Sequence, residues 1–156
     1  MSDEFNRDGR TFKDGHDPMW TALDKSDDDQ TASGKKSLQY YNSSNIFTKN
    51  GHLNILTNTE DTDFKAFHAY ENKYVTLRRN FKSGMLQGWN KFCFTGGVLE
   101  FSAQLPGEAG VGGLWPAAWM LGNLGRATYE ATTNNMWPFS YKPCDREKQR
   151  AQLISG

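Results

Sequence analysis

The chain has 156 residues, enough for one ordinary domain, and its 18 basic and 18 acidic side chains leave a formal net charge of zero. It carries no basic stripe and no acidic tail, so it offers no electrostatic footprint for nucleic acid or for an anionic membrane. No apolar run approaches the ~20 residues of a membrane-spanning helix, and the polar, acidic residues 1–6 do not read as a signal peptide. Aromatic residues make up 13% of the chain and 15 residues are Gly, with little Ala, Leu or Lys in helical rhythm, a composition that favours strands and turns. Flat rings also suit the apolar C–H face of a pyranose, although any single Trp is more often a core residue.

In chain order, residues 1–22 hold short apolar bursts broken by turn signals at Asp8-Gly9, Asp14-Gly15 and Asp17-Pro18. Residues 24–37 are a polar tract of Asp, Ser, Lys and Gly that reads as an exposed loop. Its Asp27-Asp28-Asp29 run lacks the alternating ligands and the Gly of a calcium loop. Asn42-Ser43-Ser44 is an N-glycosylation sequon, a triplet that chance alone supplies in a chain of this size. Asn50-Gly51 is a hairpin-turn signal, and residues 52–57 after it alternate in part, predicting a strand. Residues 58–72 are polar again, and Glu60, Asp61 and Asp63 read as a loop edge. Residues 74–77 and 84–89 read as strands.

The clearest strand is predicted after Gly96-Gly97. In residues 98–105, Leu99, Phe101, Ala103 and Leu105 share one face, and Val98, Glu100, Ser102 and Gln104 share the other. Pro106-Gly107 ends it, and a Gly-rich loop leads to a second strand over residues 114–122. That loop is not a phosphate loop, because no Gly-Lys-Ser/Thr follows. Residues 122–141 lack regular periodicity, and residues 145–153 read as a short polar helix.

His16, His52 and His68 lie far apart with no Cys or carboxylate at ligand spacing, so they read as surface or turn residues and imply no metal or cofactor. There is no Gly-x-Ser-x-Gly elbow, and Cys93 has no base beside it. Cys93 and Cys144 either form one disulfide, closing a loop of about 50 residues worth up to ~4 kcal/mol on the chain-entropy model, or remain two thiols. Their spacing does not choose between these.

The remaining signal lies in Phe94-Thr95-Gly96-Gly97-Val98-Leu99-Glu100, Leu105-Pro106-Gly107 and Trp115-Pro116-Ala117-Ala118-Trp119-Met120-Leu121-Gly122. Here the sequence resembles glycoside hydrolase family 16, the laminarinase and lichenase jelly-roll superfamily. Within it the chain is most similar to the β-glucan synthesis-associated branch, membrane-anchored proteins linked to β-1,6-glucan assembly in fungal and related cell walls. Further carrying blocks are Ser2-Asp3-Glu4-Phe5-Asn6, Asp8-Gly9-Arg10-Thr11-Phe12, Asp17-Pro18-Met19-Trp20, Thr48-Lys49-Asn50-Gly51, Ser83-Gly84-Met85-Leu86-Gln87, Trp89-Asn90-Lys91-Phe92-Cys93, Gly122-Asn123-Leu124-Gly125-Arg126-Ala127 and Met136-Trp137-Pro138. The resemblance implies an all-β fold, a partial concanavalin-like jelly-roll β-sandwich over residues 1–145, with residues 146–156 a divergent tail. It departs from the branch at Gln39-Tyr40, and at Thr128 and Glu130 after Arg126.

Retaining glycosidases need two carboxyl groups ~5–5.5 Å apart. Family 16 places them on one strand as Glu-x-Asp-x-x-Glu or Glu-x-Asp-x-Glu. None of Glu4, Glu60, Glu71, Glu100, Glu108, Glu130 and Glu147 has an Asp two residues later. In the family the acid-bearing strand follows the segment that corresponds here to residues 137–145. The sequence therefore reads as a fragment with no catalytic residue, and Glu100 as a structural acid. The resemblance implies Trp115 and Trp137 as sugar-stacking platforms, with Asn123, Arg126 and Gln87 as polar contacts. Alternation puts Trp115 and Trp119 on one face, and the expectation is Trp115 in the cleft with Trp119 deeper. The implied partner is a β-glucan polysaccharide. The parent protein is expected to be membrane-anchored through a segment outside this chain, with the domain in the secretory lumen or at the cell surface. The alternative is a glucan-binding or assembly factor that is not an enzyme, and a shortened gene product without its own function is a third reading.

Overall fold

The computed structural model describes residues 1–26, 37–68, 71–122, 125–129 and 146. In chain order its strands are β1 (Thr21–Ala22), β2 (Gln39–Tyr41), β3 (Ile46–Lys49), β4 (His52–Ile55), β5 (Asn58–His68), β6 (Lys73–Ser83) and β7 (Leu86–Gln87). A single 3-10 turn, Ser43–Asn45, precedes β3. The strands form three small sheets, β1-β7, β2-β6-β5 and β3-β4. The fold is all-β, as the resemblance implies, and is compatible with part of a jelly roll.

The β3-β4 hairpin follows directly from its turn residues. Asn50 and Gly51 sit at φ 55° and 72°, the left-handed pair that a tight two-residue turn requires. The Asp8 carboxylate accepts hydrogen bonds from both turn amides, at 2.9 and 3.0 Å. The N-terminal segment is then laced along β3 through Thr48. Its hydroxyl donates to the Arg7 carbonyl at 2.7 Å and accepts from the Arg10 amide at 2.9 Å. Phe12, Ala22 and Ile46 form the buried cluster, with Phe5, Trp20, Leu53 and Leu86 packed against it.

The second sheet corrects one expectation. Residues 58–68 are not a loop edge but the 11-residue strand β5, antiparallel to β6 with a register shift between Thr59 and Thr62. Phe64 and Ala66 are buried on one face. The outward carboxylates are paired across the ladder, Asp63 with Arg78 at 2.6 and 2.8 Å, Asp61 with Asn80 at 2.8 Å, and Glu60 with Lys82 at 2.5 Å. Opposed charges on neighbouring strands support a sheet that looks like a loop when one strand is read alone. His68 accordingly closes a strand rather than a turn, while His16 and His52 are exposed.

The strands predicted at 98–105 and 114–122 are corrected in the opposite direction. Neither belongs to a sheet among the described residues, and Val98 is 95% exposed while Phe101 and Leu105, on the predicted inner face, are exposed as well. Alternation assigns faces, but a strand also needs a neighbour to take up its amides and carbonyls. Of the strand predicted at 84–89, only Leu86–Gln87 is in a ladder. The tract at 24–37 is exposed at Asp24 but not at its next residues. Lys25 and Ser26 are buried, because a bridge between Lys25 and Tyr41 draws them against β2. Residues 27–36 lie outside the described residues, as does the predicted 145–153 helix apart from Arg146.

Gly84 joins β6 to β7 beneath the hairpin. A Cβ there would run into the Ile46 side chain and lie 3.1 Å from Ile55 Cγ2. Gly84→Ala is therefore expected to destabilise the chain by about 1–3 kcal/mol, read as a lower urea midpoint. An unchanged midpoint would mean that β6-β7 does not pack on the hairpin as described.

Candidate functional site

Two clusters of chemistry-bearing side chains stand next to each other. The first is built on Arg10, which the turns at Asp8-Gly9 and Asp14-Gly15-His16 bring between Asp3 and Asp17. Arg10 donates to both Asp3 oxygens at 2.8 and 2.9 Å. Its Nη2 and Nε also donate to Asp17 Oδ2 at 2.8 and 3.3 Å. Asp17 Oδ1 accepts the Met19 and Trp20 amides at 2.9 and 3.0 Å. Asp3 accepts the Trp20 indole N–H at 2.8 Å and the Phe5 amide at 3.1 Å. The guanidinium carbon lies 5.4 Å from the Phe5 ring centroid and 5.1 Å from that of Phe12.

This environment fixes the protonation states. The Arg10 hydrogen bond holds the Asp3 carboxyl at about 2, against burial, which acts to raise it. Burial likewise pushes Asp17 up, but Arg10 and the Met19 and Trp20 amides together hold it below its ordinary value. Arg10 is held more firmly protonated, chiefly by Asp3. A general acid needs a carboxyl raised toward the working pH and a free oxygen to present to substrate. Both carboxyls here are lowered and all four oxygens are occupied, so the pair is a brace and not an acid/base couple. Asp8, Glu60 and Asp63 are also displaced downward, by backbone amides, by Lys82 and by Arg78 in turn. Among the described residues no group of three His, Cys, Asp or Glu side chains is placed to hold a metal ion.

The second cluster is aromatic and cationic. Arg126 is only 8% exposed, and its guanidinium carbon lies 4.0 Å from the Trp89 ring centroid and 3.7 Å from that of Tyr129. Lys25 Nζ sits 4.3 Å from the Tyr129 centroid and donates to the Thr128 carbonyl at 3.2 Å. A planar cation between two rings is a packing arrangement that Arg provides and Lys does not. The two clusters are joined by Lys91, whose ammonium donates to the Asp17 and Trp20 carbonyls at 2.6 and 2.9 Å.

The family model described as "Beta-glucan synthesis-associated protein SKN1/KRE6/Sbg1" matches residues 1–154. The chain belongs to this family. It is 46% identical over 145 residues to the beta-glucan synthesis-associated protein KRE6 of Saccharomyces cerevisiae, a match covering 93% of this chain and 18% of that protein. It is 44% identical to SKN1 of the same yeast, over 93% of this chain and 16% of that protein. The SKN1 protein of Candida albicans is 41% identical over 93% of this chain and 17% of its own length. The chain thus spans less than a fifth of these curated relatives. No solved structure matches it.

Of the residues the family resemblance pointed to, Gln87 and Arg126 lie in one neighbourhood. Gln87 pairs with Thr21 in the β1-β7 ladder, and two residues on Trp89 stacks on Arg126. Arg126 itself lies against the Trp89 and Tyr129 rings. Trp115 is 93% exposed. Trp119 is less exposed than Trp115, at 72%, and no sheet among the described residues backs its segment. Trp137 and Asn123 lie outside the described residues. Cys93 is an exposed free thiol, and Cys144, its candidate partner, lies outside the described residues. Reading by motif missed Trp89, Tyr129 and Lys25. The Arg-x-x-Tyr spacing across a turn at Ala127-Thr128 was the available signal for Tyr129.

Both braced carboxyls have folded pKa values below their unfolded ones. Their contribution to stability is complete above the ordinary value of 3.8 and is lost as pH falls through the folded value, about 2 for Asp3. Arg10→Ala leaves both carboxylates without their cation and is expected to cost ~3 kcal/mol at neutral pH. The urea midpoint of the variant should also lose less than that of the parent between pH 5 and pH 2. Equal acid sensitivity in the two proteins would contradict the brace.

Proposed function

We propose that this chain is a β-glucan-contacting part of a cell-wall β-glucan assembly protein with glycoside hydrolase family 16 kinship, and that it binds glucan without cleaving it. The observation that carries the reading is the family match over residues 1–154. Two physical features support it. The stretch 92–121 presents Phe92, Phe94, Trp115 and Trp119 to solvent, and such rings stack on the C–H faces of pyranoses. The Asp3 and Asp17 pair is held ionised by Arg10, so it cannot protonate a glycosidic oxygen.

On this reading the contacts to sugar come from Trp115, assisted by Trp137, Asn123 and Gln87, while Arg126 shapes the surface by holding Trp89. The whole protein is membrane-anchored, with this part in the secretory lumen or at the cell surface. A hydrolase or transglycosylase remains the second reading for the whole protein, since the relatives matched are more than five times longer than the matched region.

The test uses soluble β-1,6- and β-1,3-gluco-oligosaccharides with the purified chain. Tryptophan fluorescence or indole N–H shifts should saturate with sugar, and no reducing ends should appear. Trp115→Ala should weaken binding about tenfold, the loss of one stacking platform. Release of reducing ends would contradict the non-cleaving reading, and a flat titration would contradict binding.

A further inference from the structure

The sequon Asn42-Ser43-Ser44 is the only Asn-x-Ser/Thr triplet in the chain, and neither cluster above uses it. It falls where β2 ends and the 3-10 turn Ser43–Asn45 begins, at the surface beside the end of β6. The backbone of this corner is fixed. The Asn42 amide donates to the Ser83 carbonyl at 2.9 Å. The Ser43 amide donates to Asp24 Oδ1 at 2.7 Å. The Asn45 side chain reaches the Leu56 carbonyl at 2.9 Å and Asn58 Oδ1 at 2.8 Å.

Within this frame the Asn42 side chain faces its own sequon hydroxyl. Asn42 Oδ1 accepts the Ser44 amide at 3.0 Å and also the Ser44 hydroxyl, both at an exposed position. The carbonyl end of the amide is therefore occupied, and Nδ2 carries no hydrogen bond among the described residues. Ser43, the middle residue, is buried, and Ser44 is exposed. Asn42 itself is half-buried, and a sugar on Nδ2 would leave the Ser43 and Asn45 contacts intact.

We propose that Asn42 is an N-glycan acceptor. The donor is an oligosaccharide linked through a diphosphate to a lipid. The bond between C1 of the sugar and the phosphate oxygen breaks and the lipid diphosphate leaves. Nδ2 forms the new bond to C1 and gives up one proton to a base on the transferase. The proposal rests on the lumenal or surface placement given above.

The test separates the site from the address. The full chain is secreted from a eukaryotic host behind an added leader, so that entry to the lumen does not depend on the native protein's own signals. The expected result is a glycoform that peptide N-glycosidase returns to the unmodified mass, with modification absent in Asn42→Gln and Ser44→Ala and retained in Ser44→Thr. A secreted chain of unmodified mass, or a glycan that survives in Asn42→Gln, would overturn the site. Retained secretion of Asn42→Gln with an unchanged near-UV circular dichroism spectrum would exclude misfolding as the cause of the lost glycan. A modified chain here, with an unmodified one in the native host, would contradict the lumenal address and leave the site standing.

Discussion

Arg10 is held between two carboxylates and two aromatic rings, and the front third of the chain is arranged around it. The guanidinium suits this place because it offers several donors in one plane and two apolar faces. In-plane donors bind Asp3 and Asp17, and the Phe5 and Phe12 rings lie within cation–π distance. Asp17 then organises the turn that carries Trp20, and Trp20 returns its indole N–H to Asp3. Phe12, placed by the same network, accepts a backbone hydrogen bond from Ala22 at 2.7 Å and so starts β1. Lys91 reads the Asp17 and Trp20 carbonyls and fixes the segment that holds Trp89 against Arg126.

The same interaction decides what the acids can do. A carboxylate pair is the first thing to look for where cleavage of a glycosidic bond is in question. Among the described residues, the Asp3 and Asp17 pair is coupled to a cation and saturated with donors. That combination lowers both pKa values and rigidifies the fold, and it removes the proton that cleavage would need. Across the β5-β6 ladder the carboxylates of Glu60 and Asp63 are likewise matched to Lys82 and Arg78. A chain with balanced charge thus uses much of its acid for architecture.

Much of the fold was legible where a local rule is decisive. Asn50-Gly51 specifies its hairpin because few other dipeptides tolerate two left-handed residues. The family was legible from ordered blocks such as Trp115-Pro116-Ala117-Ala118-Trp119. Strand β5 was not, because Asp61, Asp63 and Lys65 hide the inward positions Phe64 and Ala66 until the opposite strand supplies the counter-charges. The segment 98–105 misled in the other direction, since its alternation is regular but no neighbouring strand completes it among the described residues. The Arg10 brace was not legible either. Asp3, Arg10 and Asp17 are spaced by seven residues each, a distance that no helix or strand period joins here, and it takes two turns to bring them together.

The non-cleaving proposal depends on Arg10 holding both acids ionised. The brace keeps the front of the chain in one shape, and the rings of Phe92, Phe94, Trp115 and Trp119 stand exposed. The most direct measurement is a carboxyl-carbon NMR titration of Asp3 and Asp17. The account predicts that Asp3 titrates near 2 and Asp17 below the ordinary 3.8. Either carboxyl titrating above 5, as a general acid does, would contradict it.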